Sequence, residues 1–234
     1  MNRKVIITGA SGGIGLAIAR KLYEEKDRII ACCFHHPEKL SALSGITVFT
    51  GDLSKQEEVR RLFKLAEEEF SVPDVLINAA GIADIRLFQE SDDENLLRLM
   101  NTDLLSCIRC SKEAVRLMLK NKQGKILNLS SVWGSSGASC EAEYSAAKGG
   151  IEAFTKALAK ELALSHIQVN ALSLGAIDTA MNDVLTEEEK AELACDIPAG
   201  RLGTPEEVAD MVSLMLQAPE YLTGAVIKFD GGWM

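Results

Sequence analysis

Seven short apolar runs, rich in β-branched residues, alternate along this chain with stretches whose apolar residues recur at helical spacing. No other feature narrows the possible folds as much. The runs are Lys4–Thr8, Arg28–Cys33, Thr47–Thr50, Val75–Asn78, Lys125–Ser130, Gln168–Ser173 and Ala225–Phe229, and each reads as a strand buried on both faces. Between the first two, Ile14, Ala17, Ile18 and Leu22 keep the helical period. Glu57–Phe70 predicts a charged amphipathic helix with Val59, Leu62, Phe63 and Ala66 inward, and Glu94–Asn121 and Tyr144–Leu164 predict longer helices. Strands alternating with helices imply a parallel sheet covered on both faces. Right-handed crossovers then make it doubly wound, an α/β fold of three αβα layers around a seven-stranded sheet. Asp178–Gly203 interrupts the alternation with acidic sequence punctuated by Pro and Gly, an insertion suited to a substrate lid. No linker-like shift in composition and no repeat divides the chain, so residues 1–234 read as one domain with a lid around 178–203.

Composition excludes several functions. With 47% hydrophobic residues the chain can bury a large core. Its 34 acidic against 25 basic residues give a net charge of -9, which argues against nucleic acid as a partner, because phosphates need a basic face. No apolar run approaches the roughly 20 residues that cross a bilayer, so no membrane partner is expected. The opening MNRKVIITGA runs straight into strand-like sequence without a signal or transit pattern, which leads us to expect a cytoplasmic protein. In that setting the six cysteines are reduced thiols. Cys32-Cys33-Phe34-His35-His36 has the residue types of a metal site. On a strand, however, the two cysteines face opposite sides, and no second ligand pair has zinc spacing, so no metal is assigned. Cys107 and Cys110 lie in a helical stretch as small apolar residues. Three histidines and no G-x-S-x-G turn give little support to a serine hydrolase.

Thr8-Gly9-Ala10-Ser11-Gly12-Gly13-Ile14-Gly15 follows the first strand and opens a helix. Glycines there let main-chain N–H groups approach a pyrophosphate, and the helix N-terminus adds partial positive charge. The spacing is G-x3-G-x-G, and no Gly-Lys-Ser/Thr follows as in a P-loop. A tight strand–helix turn without a ligand would use the same glycines. About twenty residues on, where an NAD enzyme places an acid against the ribose 2′-hydroxyl, the sequence reads Cys33-Phe34-His35-His36-Pro37, with no carboxylate before Glu38. Nothing there repels a 2′-phosphate, and His35, His36 and Lys39 can lie near one. NADP(H) is therefore expected in preference to NAD(H), with an exposed turn as the simpler role for both histidines.

Tyr144 has Lys148 four positions on, one helical turn away on the same face. A free phenol titrates near 10. A cation at ~4 Å with an effective dielectric of ~20 favours phenolate by roughly 4 kcal/mol, or about 3 pH units. That would bring Tyr144 into the range useful for proton exchange, although such pairs also occur as plain surface contacts. Gly124-Lys125-Ile126-Leu127-Asn128-Leu129-Ser130-Ser131 ends a strand with hydroxyls, and Ser131 precedes Tyr144 by 13 residues. Asn78-Ala79-Ala80-Gly81 closes the central strand, and Asn101 sits in the next helix.

With these motifs in this order, the chain resembles the short-chain dehydrogenase/reductase family over essentially its whole length. It looks most like the 3-oxoacyl-acyl-carrier-protein reductases and the related elongation factor P 5-aminopentanone reductases. The resemblance implies a Rossmann-like fold and an NAD(P)-dependent oxidoreductase. It implies cofactor contacts from Gly9, Ser11, Gly13, Ile14 and Gly15, from His35, from Asp52 and Leu53 at the adenine, and from Asn78, Ala79 and Gly81. Gly175, Ile177 and Thr179, together with Tyr144 and Lys148, would complete the cofactor side. The implied catalytic residues are Asn101, Ser131, Tyr144 and Lys148. By resemblance Tyr144 protonates the carbonyl oxygen as hydride arrives, Ser131 holds that oxygen, Lys148 lowers the tyrosine pKa and binds the ribose, and Asn101 positions a water. One departure is Leu174, where the family usually has Pro. Losing the fixed φ of proline predicts a looser loop beside the nicotinamide.

Pro198–Ala209 and the ending Thr223-Gly224…Asp230-Gly231-Gly232 resemble the carrier-protein subgroup. Of its two basic docking positions beside the active-site mouth, one matches Lys122 and the other reads Ser165. Trp133-Gly134-Ser135-Ser136-Gly137-Ala138-Ser139-Cys140-Glu141 and the Gly-Gly-Trp ending resemble the aminopentanone subgroup. There Glu141 or Glu143 could meet a cationic substrate, or be solvated surface acids. The expected reaction is thus reduction of a ketone that is free or attached to a carrier or a protein. A non-catalytic dinucleotide-binding scaffold is the alternative of a different class. By resemblance, Glu94–Asn121, Tyr144–Leu164 and Ala225–Phe229 would form a homo-oligomer, a tetramer or dimer, though the same stripes suit packing on the sheet.

Overall fold

The computed structural model describes residues 2–180 and 186–234. The apolar runs form β1 (Lys4–Thr8), β2 (Arg28–Cys33), β3 (Thr47–Thr50), β4 (Val75–Asn78), β5 (Gly124–Ser131), β6 (Ile167–Leu174) and β7 (Val226–Phe229). They make one seven-stranded sheet in the order β3-β2-β1-β4-β5-β6-β7, and every pairing is parallel. The chain winds outward from β1 to one edge, returns to β4, and winds outward to the other. The strand order therefore reverses between β1 and β4, where a crevice opens at the carboxyl ends of such sheets.

The helices are α1 (Gly13–Glu24), α2 (Gln56–Phe70), α3 (Asp93–Met100), α4 (Ser106–Met118), α5 (Trp133–Ser136), α6 (Ala142–Leu162), α7 (Glu187–Asp196) and α8 (Pro205–Gln217). Strand periodicity deals apolar side chains to two cores. Val5, Ile7, Ile29 and Ile77 join Ile18 and Leu22 of α1 and Val208 and Val212 of α8. Ile6, Ile30 and Leu76 join Leu62 and Phe63 of α2, Leu117 of α4 and Leu162 of α6. Each fully buried Leu or Ile contributes about 1.5–3 kcal/mol, so the two cores sandwich the sheet as the sequence pattern requires. Cys32 and Cys33 fall into opposite cores, and Cys107 and Cys110 are buried on α4.

One local feature differs from the sequence reading. The helix expected over Glu94–Asn121 is broken: α3 passes into a π-helical turn, Asn101–Leu105, before α4. The extra residue of a π-turn shifts which side chains point inward, and here it buries Asp103 completely. Leu174 is the last residue of β6, beside Ser131 and Phe229. Its carbonyl accepts the Val132 N–H at 2.9 Å, and the next N–H, of Gly175, donates to Phe229 O at 3.0 Å. Of the interval 178–203, residues 181–185 lie outside the described residues. Its base is fixed by a parallel bridge between Ile177 and Gly203.

The Thr204 hydroxyl accepts the Glu207 N–H at 3.2 Å while Glu207 Oε2 accepts the Thr204 N–H at 2.9 Å. This capping box starts α8, with Pro205 in the first turn. Thr204→Ala should cost about 1 kcal/mol of stability by denaturant melting; an unchanged midpoint would remove the cap from the account of α8.

Candidate active site

The glycine-rich turn sits at the carboxyl end of β1, beside the strand-order reversal. Gly9 has φ +66, and a Cβ there would lie 2.7 Å from Ala80 Cα and 2.8 Å from Ala79 O. Only a glycine accommodates both the left-handed backbone and that approach. Thr8 Oγ1 accepts the N–H groups of Ala79 and Ala80, each at 3.1 Å, tying the ends of β1 and β4 together. Helix α1 begins at Gly12 with no side-chain cap and no acid in its first turn. Its leading N–H groups and positive dipole end are thus left without a local anion, which fits a dinucleotide pyrophosphate. Ile14 is half-buried against the α1/α8 core, and Thr179 packs on Gly13. The loop carrying Gly175, Ile177 and Thr179 therefore reaches the same crevice from β6.

The other expected cofactor residues distribute around it. Ser11 Oγ donates to His35 O at 2.7 Å, placing exposed His35 beside the glycine turn. Exposed His36 pairs with exposed Glu38 at 3.0 Å. Asp52 Oδ1 accepts the Ser54 N–H at 3.1 Å, and Leu53 is buried. Asn78 does not turn its amide to the crevice: Nδ2 donates to Asn128 Oδ1 at 2.8 Å and to Ser111 Oγ at 3.1 Å inside the sheet's core. What β4 offers a cofactor is the main chain of Asn78–Gly81.

Tyr144 lies in the first turn of α6, with Lys148 one turn on, its Nζ 5.2 Å from the Tyr144 ring centroid. Ser131, at the carboxyl end of β5, accepts the Trp133 N–H at 3.2 Å and faces the Tyr144 hydroxyl closely enough to act on it. These three residues meet as expected. Asn101 does not join them: its Nδ2 donates to Leu97 O at 2.7 Å within its own helix. Lys148 instead meets Asp103, whose Oδ2 lies 3.0 Å from Lys148 Nζ with both side chains buried. Asp103 Oδ1 accepts the Ile82 N–H at 2.9 Å. A Cβ on Gly81 would come 2.8 Å from Asp103 Oδ2 and 3.2 Å from Lys148 Nζ, so glycine is what lets the β4 loop close over the pair. Asp103 was missed because the unbroken helix was read around Asn101. The signal was present: Asp103 stands midway between Leu99 and Cys107, four residues from each, on the buried stripe.

Electrostatics depart from the simple cation–phenol pair as well. Burial pushes the Tyr144 phenol above its ordinary value; Lys148 and the Ser131 hydroxyl oppose this, while the charges of Asp103 and Glu141 add to it. Burial pulls the Lys148 ammonium down, but Asp103 and Tyr144 outweigh that and leave it raised. Lys148 lies where the sequence placed it and acts on Tyr144 in the lowering direction, with Asp103 beside it as its counter-charge. Burial also raises Glu141, against the hydrogen bond from Trp133.

Helix α6 is fixed to the sheet by buried polar bonds. Ser130 Oγ contacts Lys148 O and Glu152 Oε1, each at 3.2 Å, and Ser173 Oγ donates to Glu152 Oε1 at 3.1 Å. Trp133 meets Trp233 edge-on with ring centroids 4.8 Å apart, bringing the C-terminal residues beside Ser131. Lys122 is exposed just before β5, at the opposite end of that strand from Ser131. Eight residues of strand separate them by roughly 25 Å. Within one chain, Lys122 and Ser165 are therefore not beside the mouth that holds Tyr144. They flank the amino ends of the strands, where a separate hollow of about 520 Å³ is lined by Arg3, Lys122, Lys125, His166 and Glu220.

A dinucleotide cradle with a hydroxyl, a phenol and a buried ammonium at its carbonyl side is equipped to exchange hydride and proton with a ketone or alcohol. Comparison with known proteins agrees. Residues 9–234 match the family model described as enoyl-(acyl carrier protein) reductase. The chain is 35% identical to "Uncharacterized oxidoreductase YmfI" of Bacillus subtilis (strain 168), covering 100% of this chain and 99% of that one. It is 36% identical to 3-oxoacyl-[acyl-carrier-protein] reductase FabG of Vibrio cholerae serotype O1, covering 97% and 95%. The crystal structure of gox2181 superposes with a TM-score of 0.94 at 27% identity, covering 99% and 95%. Crevice, cradle and relatives agree: this chain belongs to the short-chain dehydrogenase/reductase family, oxidoreductases that act on CH–OH and C=O groups with a nicotinamide dinucleotide.

Proposed function

We propose that the protein is an NADPH-dependent reductase of a ketone carried on an acyl thioester, as in 3-oxoacyl-acyl-carrier-protein reductases. The meeting of Ser131, Tyr144 and Lys148 at the open end of the sheet carries this reading. Similarity to the Vibrio cholerae reductase over nearly the whole chain favours the thioester. When bound, the nicotinamide supplies the hydride. The chain's own groups do the rest. The Ser131 hydroxyl donates to the carbonyl oxygen and fixes its position. Tyr144 passes its phenolic proton to that oxygen as negative charge develops there. Lys148 stabilises the phenolate left behind and, with Gly9, Gly13, Gly15 and Thr179, lines the cofactor crevice. The chain works as one domain and as a homo-oligomer in the cytoplasm.

Acetoacetyl thioester with NADPH tests the reading directly. Turnover above that with simple ketones is expected; none with the thioester would reject it. His35 stands next to the Ser11 turn, where a 2′-phosphate would lie. His35→Ala should raise KM for NADPH several-fold and leave KM for NADH alone, and equal effects on both would return His35 to the role of an exposed turn.

One feature favours a second substrate. Glu141 is half-buried and bonded to Trp133, which contacts Trp233, whereas Glu143 is held by Ser91 Oγ at 3.0 Å. A carboxylate set against two indoles suits an ammonium, as on a 5-aminopentanone-bearing protein. Assaying that substrate beside the thioester separates the two. A chain that oxidised no NADPH with either, or with a broad carbonyl panel, would be the dinucleotide-binding scaffold.

A further inference from the structure

We infer that Trp233 is a specificity-determining residue: with Trp133 it forms an aromatic wall on the substrate side of Ser131 and Tyr144, which favours short ketones over long-chain ones. The inference rests on the reading of the protein as a ketone reductase and deepens it by setting a length limit on the acyl chain.

The wall is assembled from two distant parts of the chain. Trp133 follows Ser131 by two residues, and its N–H donates to Ser131 Oγ at 3.2 Å. That bond ties the main chain bearing one indole to the hydroxyl that holds the carbonyl oxygen. Trp233 arrives from beyond β7. Its ring meets that of Trp133 with 4.8 Å between centroids and 63° between planes, the edge-to-face arrangement that aromatic pairs favour. Both indoles are half-buried, so each is packed on one part and open on another.

The turn that delivers Trp233 is held from several directions. Asp230 Oδ1 accepts the Gly232 N–H and Oδ2 the Met234 N–H, each at 3.0 Å, and Asp230 O accepts the Trp233 N–H at 3.2 Å. Gly231 and Gly232, at φ +66 and +85, supply the left-handed backbone that the reversal needs. Gly231 O accepts the Ala199 N–H at 3.1 Å, and a Cβ on Gly232 would stand 3.5 Å from Pro198 Cβ, so Pro198 and Ala199 back the turn. On another side a Cβ on Gly175 would come 2.8 Å from Asp230 Cα, so the turn is pressed against the loop leaving β6. It therefore spans from that loop to the end of β5, and an indole carried on it moves only if the turn moves.

Substrate geometry decides which group meets the wall. A ketone beside a thioester has two arms. The thioester arm leads to its carrier and must leave through the open mouth. The alkyl arm then points to the backed side, where the indoles stand. A methyl group fits against them, whereas a long chain has to displace them. Discrimination of tenfold or more is within what a few methylenes command at an apolar pocket wall.

Reduction of acetoacetyl and 3-oxododecanoyl thioesters by NADPH tests this. In the unsubstituted protein kcat/KM should be at least about tenfold higher for the short chain. In Trp233→Ala that preference should largely disappear, through a gain on the long chain. A residue that only packed the turn would lower turnover on both chains alike, and that result overturns the proposal. So does an unsubstituted protein that does not favour the short chain. Should Trp233→Ala fail to fold, Trp233→Leu decides, and an unaltered preference there overturns the proposal. Binding gives a second readout. Trp133 and Trp233 are the only tryptophans in the sequence, so indole emission reports on the wall alone. The product-like 3-hydroxybutyryl thioester, added without cofactor, should move that emission to shorter wavelength as water leaves the rings. If no thioester is reduced, the thioester reading fails by itself, and the comparison of butan-2-one with decan-2-one decides the wall. Emission unchanged by all of these ligands overturns it.

Discussion

Tyr144→Phe is expected to lower kcat for ketone reduction by about 10²–10⁴-fold, the range that a positioned proton donor contributes. The substitution removes one hydroxyl from a side chain whose ring stays packed over Lys148 Nζ. Lys148 keeps its partner Asp103, so no buried charge is orphaned. The cradle lies on β1, β4 and the loop after β6, none of which the phenol supports. Dinucleotide affinity, measured by fluorescence titration, should therefore stay within about twofold, and the loss should fall on kcat while KM changes little. Retention of most turnover would mean that water or another group protonates the carbonyl oxygen, and the site would need a different acid. The unsubstituted protein should also hold its reductive kcat through pH 9, because the phenol is raised and its acid form persists there. A decline beginning near neutrality would mean that burial is relieved when substrate and cofactor are bound.

Gly9→Val should weaken dinucleotide binding more than tenfold and lower the melting temperature. A β-branched residue at φ +66 is strained by about 1–3 kcal/mol. Its Cβ would stand 2.7 Å from Ala80 Cα and 2.8 Å from Ala79 O. Those atoms are main chain and cannot rotate away, so the turn must move off the end of β4. That motion breaks the Thr8 bonds to Ala79 and Ala80 and displaces the N-terminus of α1 from the crevice. Since about 1.4 kcal/mol is tenfold in affinity, strain of this size is sufficient even before the displaced N–H groups are counted. Unaltered binding would show that the cofactor does not use this turn.

Much of the molecule can be read before it is folded. The strand runs agree with the observed strands to within a residue. Strands β1, β2, β4, β5 and β6 are buried between the helix layers and so continuously apolar. The edge strands β3 and β7 are more exposed and were legible from their β-branched and aromatic residues. The glycine turn is legible for a similar reason, since main-chain approach and left-handed φ restrict residue type at the position itself. Tyr144 and Lys148 are one turn apart in the chain, so helix geometry alone brings them together. Asn101 shows where such reasoning stops. From spacing it sits in the right helix, but its amide bonds back to Leu97 O, and it is Asp103 of the same widened turn that meets Lys148.

By itself, then, the sequence determined the layered parallel fold, the crevice and the phenol–ammonium pair, because each follows from periodicity or from neighbours a few residues apart. Only the tertiary structure decided which charges surround that pair. Asp103, Lys148 and Glu141 come from separate segments, and the pull of one charge on another depends on distance and burial, neither of which is fixed until the π-turn, α6 and the β4 loop have packed against one another.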